Sequence, residues 1–152
     1  MATAQACDKK MVQLSNCPCG LPAAYTACCE RYVGGAEHLR APTAEALMRS
    51  RYCAYTARAA PYLVATWHAS TRPRRVTFPA GLRWLGLTVV RHEQADAELA
   101  IVEFLAHHEN RRPDFGKRRA ATPMPSDIQI MHEVSRFVRT ADRWYYLDGV
   151  VS

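Results

Sequence analysis

The sequence predicts an α+β fold, with helices packed on one face of a curved antiparallel sheet. Two observations carry this. The helical periodicity falls between Thr43 and Ser70, and four runs rich in β-branched and aromatic residues follow it after Gly81. Helices first and strands after is the segregated α+β order, and consecutive strands with short connections pair antiparallel by default. A third observation sets the N-terminal part aside. Four of the six cysteines crowd into the thirteen residues CPCGLPAAYTACC, from Cys17 to Cys29.

Residues 1–16 read as a flexible tail, residues 17–33 as a cysteine-rich module, and residues 40–152 as the α+β domain. The stretch between the last two contains Gly34-Gly35 and reads as a connection. Thr43 is placed to N-cap a helix, with Glu45 in its first turn. Leu47, Met48, Tyr52 and Tyr55 recur at helical spacing behind it. Pro61 suits the first turn of a shorter helix through PYLVATWHAS. TRPRRVTFPAG then reads as a loop, and the period changes to that of strands. LRWLGLTVVRHE, AELAIVEFLAHHE, IQIMHEVSRFVRT and RWYYLDGVV form the predicted sheet. In the third strand Met131, Glu133, Ser135 and Phe137 share one face; Ile130, His132, Val134, Arg136 and Val138 share the other. Both faces mix apolar and polar groups, so both are expected to be partly covered. Glu103 and Glu133 sit at strand centres, where a carboxylate needs a partner. Arg49, Arg51 and Arg136 are the available cations for structural ion pairs. The alternative role for these carboxylates is the floor of a polar pocket.

The cysteine spacing is Cys17-x-Cys19, eight residues, then Cys28-Cys29. Adjacent cysteines hardly bridge each other without strain, but cross-pairing of the two doublets is geometrically open. Four thiolates around one zinc ion are the competing account, and free thiols are a third. Spacing and a reducing compartment favour zinc. Pro18 limits the first turn and Gly20 permits an unusual backbone angle after Cys19. A segment this short has no core of its own, so the metal would fold it. A site with four thiolates has no open position, which makes it structural or recognitive rather than catalytic. Cys53, in the helical pattern, reads as a small buried hydrophobe. Cys7 falls in the tail.

Composition narrows the function classes. Hydrophobic residues make up 49% and charged residues 22% of 152, as in an ordinary globular protein. No run approaches a membrane span or a signal h-region, so a cytoplasmic protein with no membrane role is expected. The formal net charge is +6. One basic run, HHENRRPDFGKRR, holds Arg111, Arg112, Lys117, Arg118 and Arg119; a second group is Arg72, Arg74, Arg75 and Arg83. Such runs are usually solvated loops; the alternative is a footprint for RNA or an acidic protein surface. Neither run interleaves aromatics, which weakens the nucleic-acid reading.

Two resemblances follow from these residues. Cys17, Cys19, Gly20, Tyr25, Cys28 and Cys29 resemble a SEC-C motif, the small zinc module at the C-terminus of the SecA translocation ATPase. Leu21-Pro22 replaces that family's Ser-Gly. The stretches LMRSRYCAYTARAAPYLVATWH and HEVSRFVRTADRWYYLDG, with WLGL between them, resemble YchJ-like bacterial proteins. In that family a SEC-C motif precedes a domain of the nuclear transport factor 2-like fold. The resemblance implies a structural four-cysteine zinc site and a cone of helices over a strongly bent sheet. Some members carry a second SEC-C motif, and this sequence stops at Ser152 without one, so a function needing two is not expected. Resemblance and strand phase together imply a cavity near Arg49, Tyr52, Trp67, His68, Trp84, Glu133, Ser135, Phe137, Tyr146 and Asp148. The alternative expectation is that the cavity binds a small molecule or serves a lyase- or isomerase-type enzyme, with His68 or Glu133 as the base and Tyr52 as a hydrogen-bond donor. The favoured expectation is a binding module. Its zinc knuckle docks a protein or ribonucleoprotein partner, as the SecA example contacts a chaperone and the ribosome, and the basic loop steers the encounter.

Overall fold

The computed structural model describes residues 16–111 and 127–152. Residues 1–15 of the proposed tail, Cys7 among them, lie outside that range, as do Arg112, Lys117, Arg118 and Arg119 of the basic run; Asn16, the tail's last residue, is instead bridged to Ala24. A 3₁₀ turn, Tyr25–Ala27, is followed by helices α1 (Glu30–Val33), α2 (Ala44–Thr56) and α3 (Ala60–Ala65). Strands β1 (Leu82–Gln94), β2 (Leu99–Asn110), β3 (Ile128–Thr140) and β4 (Arg143–Val151) come after them. They form one antiparallel sheet in the order β1-β2-β3-β4. No helix among the described residues is long and apolar enough to cross a membrane.

Local chemistry explains the helix ends. The Thr43 hydroxyl accepts from the Ala46 backbone N–H at 3.0 Å, which satisfies one of the free donors of α2. Pro61 lies in the first turn of α3, where its missing N–H costs nothing. That helix stops at Ala65, so Trp67 and His68 lie beyond it rather than on its last turn. The supposed connection after Val33 is tighter than expected. The backbone N–H groups of Gly34 and Gly35 both bond to the Glu30 carbonyl, which closes α1.

The strand alternation sorts the sheet. On β2, Ala100, Val102, Phe104 and Ala106 are buried on the inner face, opposite Phe137, Ser135, Glu133 and Met131 of β3. Helix α2 lies across this inner face. Its Leu47, Met48, Tyr52 and Cys53 join Leu87, Val102, Phe104, Phe137 and Trp144 in one buried cluster, to which Cys17, Cys19, Cys28 and Cys29 also belong. Complete burial of a side chain such as Leu47 or Phe137 contributes about 1.5–3 kcal/mol. A second cluster, Tyr32, Ala54, Tyr62 and Leu63, packs α1 and α3 against the other side of α2.

The outer face departs from expectation. Ile128, Ile130 and Val150 are exposed there, with Val150 at 72%, so partial cover by another element is not found among the described residues. Its polar groups satisfy one another instead. Glu103 accepts from Arg91 at 3.3 Å and pairs with His132 at 2.9 Å, while Arg136 grips Asp148. Neither Glu103 nor Glu133 uses Arg49, Arg51 or Arg136 as an ion-pair partner among the described residues.

Candidate metal centre and the neighbouring cavity

Backbone hydrogen bonds shape the cysteine loop. The Cys17 N–H donates to the Ala23 carbonyl at 2.7 Å, and the Gly20 N–H donates to the Cys17 carbonyl at 3.1 Å. Gly20 has φ +90°, and a Cβ there would stand 3.0 Å from the Leu87 carbonyl oxygen. The position therefore needs glycine for its angle and for its close approach to β1. Cys28 and Cys29 follow the 3₁₀ turn and lead into α1, which points both side chains back at Cys17 and Cys19.

The four sulfurs converge. All four cysteines are buried, and their Sγ atoms lie within 4.8 Å of one another. Cys19 and Cys28 are 3.7 Å apart and Cys28 and Cys29 are 3.9 Å apart, so none of these pairs is a disulfide. Cys53 stands against this group, its Sγ 3.5 Å from that of Cys17. Hydrogen bonds from the Cys29 and Cys53 thiols hold the Cys19 thiol far below its ordinary range. Burial, and then contact with Cys19, pushes Cys28 up to about 12. Hydrogen bonding to Cys19 also raises Cys29 and Cys53, with burial adding to it. Buried thiols in mutual contact therefore share few negative charges until a cation joins them. Soft thiolates at this spacing suit a tetrahedral metal site.

The loop is tied to the domain through Arg49. Its Nη1 donates to the Cys19 carbonyl at 2.7 Å, while Nε and Nη2 both hold Glu45 Oε1. On the other side, Arg31 donates to the Cys28 carbonyl at 3.1 Å and lies over the Tyr32 ring.

A cavity of about 230 Å³ opens beside this centre, between α2 and the inner sheet face. Tyr52, Trp84, Phe104, Met131 and Phe137 form apolar walls. At the floor, Glu133 Oε1 accepts from the Ser135 hydroxyl at 2.7 Å and the Tyr146 hydroxyl at 3.0 Å. Gly149 lies opposite Ser135 on β4, and any Cβ there would collide with the Glu133 carboxylate. Arg51 enters from α2. Its Nη1 donates to the Leu63 carbonyl and the Thr66 hydroxyl, and its guanidinium carbon sits 4.6 Å from the Tyr146 ring centre. Burial lowers the Arg51 pKa and raises those of Tyr52, to about 12, and of Tyr146.

Comparison with known proteins decides the family. The profile of the YchJ middle NTF2-like domain matches residues 43–149. A UPF0225 protein of Polaromonas sp. is 45% identical over 141 residues, covering 89% of this chain and 92% of its own length. The chain belongs to the YchJ-like UPF0225 family. A further UPF0225 protein, from Xanthomonas oryzae pv. oryzae, is 48% identical, covering 88% of this chain and 92% of its own. Two solved structures are similar in fold, both of SEC-C motif containing proteins. The one from Rhodopseudomonas palustris is 30% identical with a TM-score of 0.67, covering 90% of this chain and 98% of that one. The one from Psychrobacter arcticus is 29% identical with a TM-score of 0.69, covering 93% of this chain and 85% of that one.

In this YchJ-like chain, Tyr52, Trp84, Glu133, Ser135, Phe137 and Tyr146 line the cavity. The other four expected pocket residues do not. Arg49 points to the cysteine loop, because a helix turns roughly 200° between residues 49 and 51 and so presents Arg51 to the cavity instead. Trp67 packs edge-on against Tyr146 and under Arg51, outside the lining. His68 is held away by its backbone N–H on the Tyr146 carbonyl, and its ring Nδ1 bonds to Ser70 on an exposed turn. It has no access to the cavity as a base. Asp148 faces the outer side because β4 bulges at Leu147. Tyr146 pairs with Phe137 while Asp148 pairs with Arg136, so residues two apart take opposite faces. The basic loop is also altered at its one described member. Arg111 donates to Glu109 at 3.0 Å, and Arg83 stands 3.6 Å from the same buried carboxylate. Both arginines are thus structural counter-charges. Sequence reasoning missed Met48, Tyr55, Phe104, Ala106 and Met131 as lining, and missed Arg51 as the cation of the cavity.

Proposed function

We propose that this protein is a zinc-bearing adaptor. One zinc ion on Cys17, Cys19, Cys28 and Cys29 fixes a SEC-C knuckle, and the NTF2-like cone behind it presents that knuckle to a protein or ribonucleoprotein partner. One observation carries this reading: the sulfurs face the core while the outer turn of the same loop faces solvent. Pro18, Gly20, Leu21 and Pro22 are exposed, Leu21 at 40%. The sulfur spacing supports zinc. A tetrahedral ion with Zn–S near ~2.3 Å has S···S edges of about 3.8 Å; two of the edges are 3.7 and 3.9 Å, and all lie within 4.8 Å. When bound, the ion supplies fixed geometry and charge neutralisation, with no open position for substrate. Free thiols at these positions suit the reducing cytoplasm.

The test is co-sedimentation of zinc-loaded protein with purified bacterial ribosomes at low and high salt. The expected result is salt-sensitive binding that Leu21→Asp abolishes while zinc content stays at one per chain. Binding unchanged by Leu21→Asp, or purified protein without zinc, would refute the reading.

A further inference from the structure

We propose that the cavity between α2 and the inner sheet face is a binding site for a small aromatic acid carrying a hydroxyl or amino group. The inference is independent of the zinc knuckle and its partner. It starts from Arg51, which is 5% exposed and lines the cavity. Among the described residues no carboxylate reaches ion-pairing distance of it. Its Nη1 has two hydrogen-bond acceptors, both neutral; the Tyr55 hydroxyl also contacts it, and the Glu133 carboxylate acts on it from a longer range. The Trp67 and Tyr146 rings, 5.0 and 4.6 Å from its guanidinium carbon, attract a cation without neutralising it. A buried charge left in this state favours an incoming anion. The guanidinium is therefore the donor at this end of the site.

The other end has the opposite chemistry. Glu133 Oε1 takes both of its donors, Ser135 and Tyr146. Oε2 accepts from nothing among the described residues and remains available to a donor on a ligand. One Tyr146 ring spans the two ends: the guanidinium lies over its face and the carboxylate accepts from its hydroxyl. The ligand therefore needs an acidic or carbonyl oxygen for the one and a hydroxyl or amine for the other. The walls between, Tyr52, Trp84, Phe104 and Phe137, favour a flat apolar body. Size agrees. An apolar cavity of roughly 150 Å³ admits benzene, and this one, at about 230 Å³, leaves room for polar groups at both ends.

The experiment is a titration of the full zinc-loaded chain with 4-hydroxybenzoate, 4-aminobenzoate, benzoate and p-cresol, followed by the Trp84 indole resonance. The two disubstituted acids are expected to saturate. Benzoate, without the donor, and p-cresol, without the acid, should each bind at least about tenfold more weakly, the effect of one charge-assisted hydrogen bond. Glu133→Gln should weaken 4-hydroxybenzoate by about the same factor and leave benzoate unchanged. Met131→Trp fills the cavity from its rim and should abolish binding of all four. If Glu133→Gln fails to fold, the wild-type order of the four probes still decides. No saturable shift with either disubstituted acid, equal affinity for all four probes, or binding that survives Met131→Trp overturns the proposal.

Discussion

Replacing Arg49 by methionine cuts the tie between the cysteine loop and the domain. The side chain is 14% exposed and donates to the Cys19 carbonyl at 2.7 Å. A hydrogen bond from a charged group contributes about 1.5–3 kcal/mol, and partial burial places this one near the lower end. The ion pair with Glu45, an i,i+4 helix pair, adds about 0.3–0.5 kcal/mol. Methionine retains most of the alkyl stem, so packing changes little. The expected loss is about 2 kcal/mol, or roughly 4–8 °C in Tm for a chain of this size. Glu45→Gln is the control. It removes the ion pair while leaving Arg49 on Cys19, and should cost under about 0.5 kcal/mol. Urea unfolding of the metal-loaded protein measures both, with metal release to a chelator recorded in parallel. If the loop and domain are one cooperative unit, Arg49→Met shifts the two transitions together. A loss under about 0.5 kcal/mol, a loss no larger than that of Glu45→Gln, or faster metal release with an unchanged unfolding midpoint would refute the reasoning.

Three further outcomes are expected. Cys28→Ser should remove stoichiometric metal by elemental analysis, whereas Cys53→Ala, beside the cluster but outside the four, should retain one ion per chain; the reverse pattern would overturn the ligand set. Metal binding should release protons and strengthen as pH rises. Cys28 is pushed up to about 12 and Cys29 is raised further, so both are protonated at neutral pH without metal and must deprotonate to bind it. Calorimetry in buffers of different ionisation enthalpy reads the release, and a pH-independent affinity would contradict it. Ala141 and Asp142, the turn between β3 and β4, have φ +50° and +60°, as a primed two-residue hairpin turn requires. Ala141→Gly should therefore stabilise the protein by about 1 kcal/mol in urea unfolding, since alanine is strained in that region.

The features legible in sequence were those fixed by local spacing. Cys17, Cys19, Cys28 and Cys29 were readable as one site because thirteen residues cannot place them far apart. Met131, Glu133, Ser135 and Phe137 were readable as one face because a strand alternates strictly. The errors came where a single extra or rotated residue resets the phase. The Leu147 bulge separates Tyr146 from Asp148, and nothing in WYYLDG announces it. Helix α2 is buried on several sides, so hydrophobicity alone did not say whether Arg49 or Arg51 faces the sheet. The partners of Glu109 depend on strand register. Arg83 lies opposite it across the β1–β2 pairing, a relation that appears only once the sheet is assembled.

The cysteine loop has no interior of its own; its sulfurs share a buried cluster with Leu47, Met48, Leu87 and Val102. An appended finger can lose its ion and dangle while the rest of the molecule carries on. Here a vacated site removes one wall of the domain's only large core among the described residues. Metal starvation would then show as a fall in protein abundance, because quality-control proteases act on the opened domain rather than on an intact but idle one. With the proposed ion in place, its supply and the protein's lifetime would become a single variable.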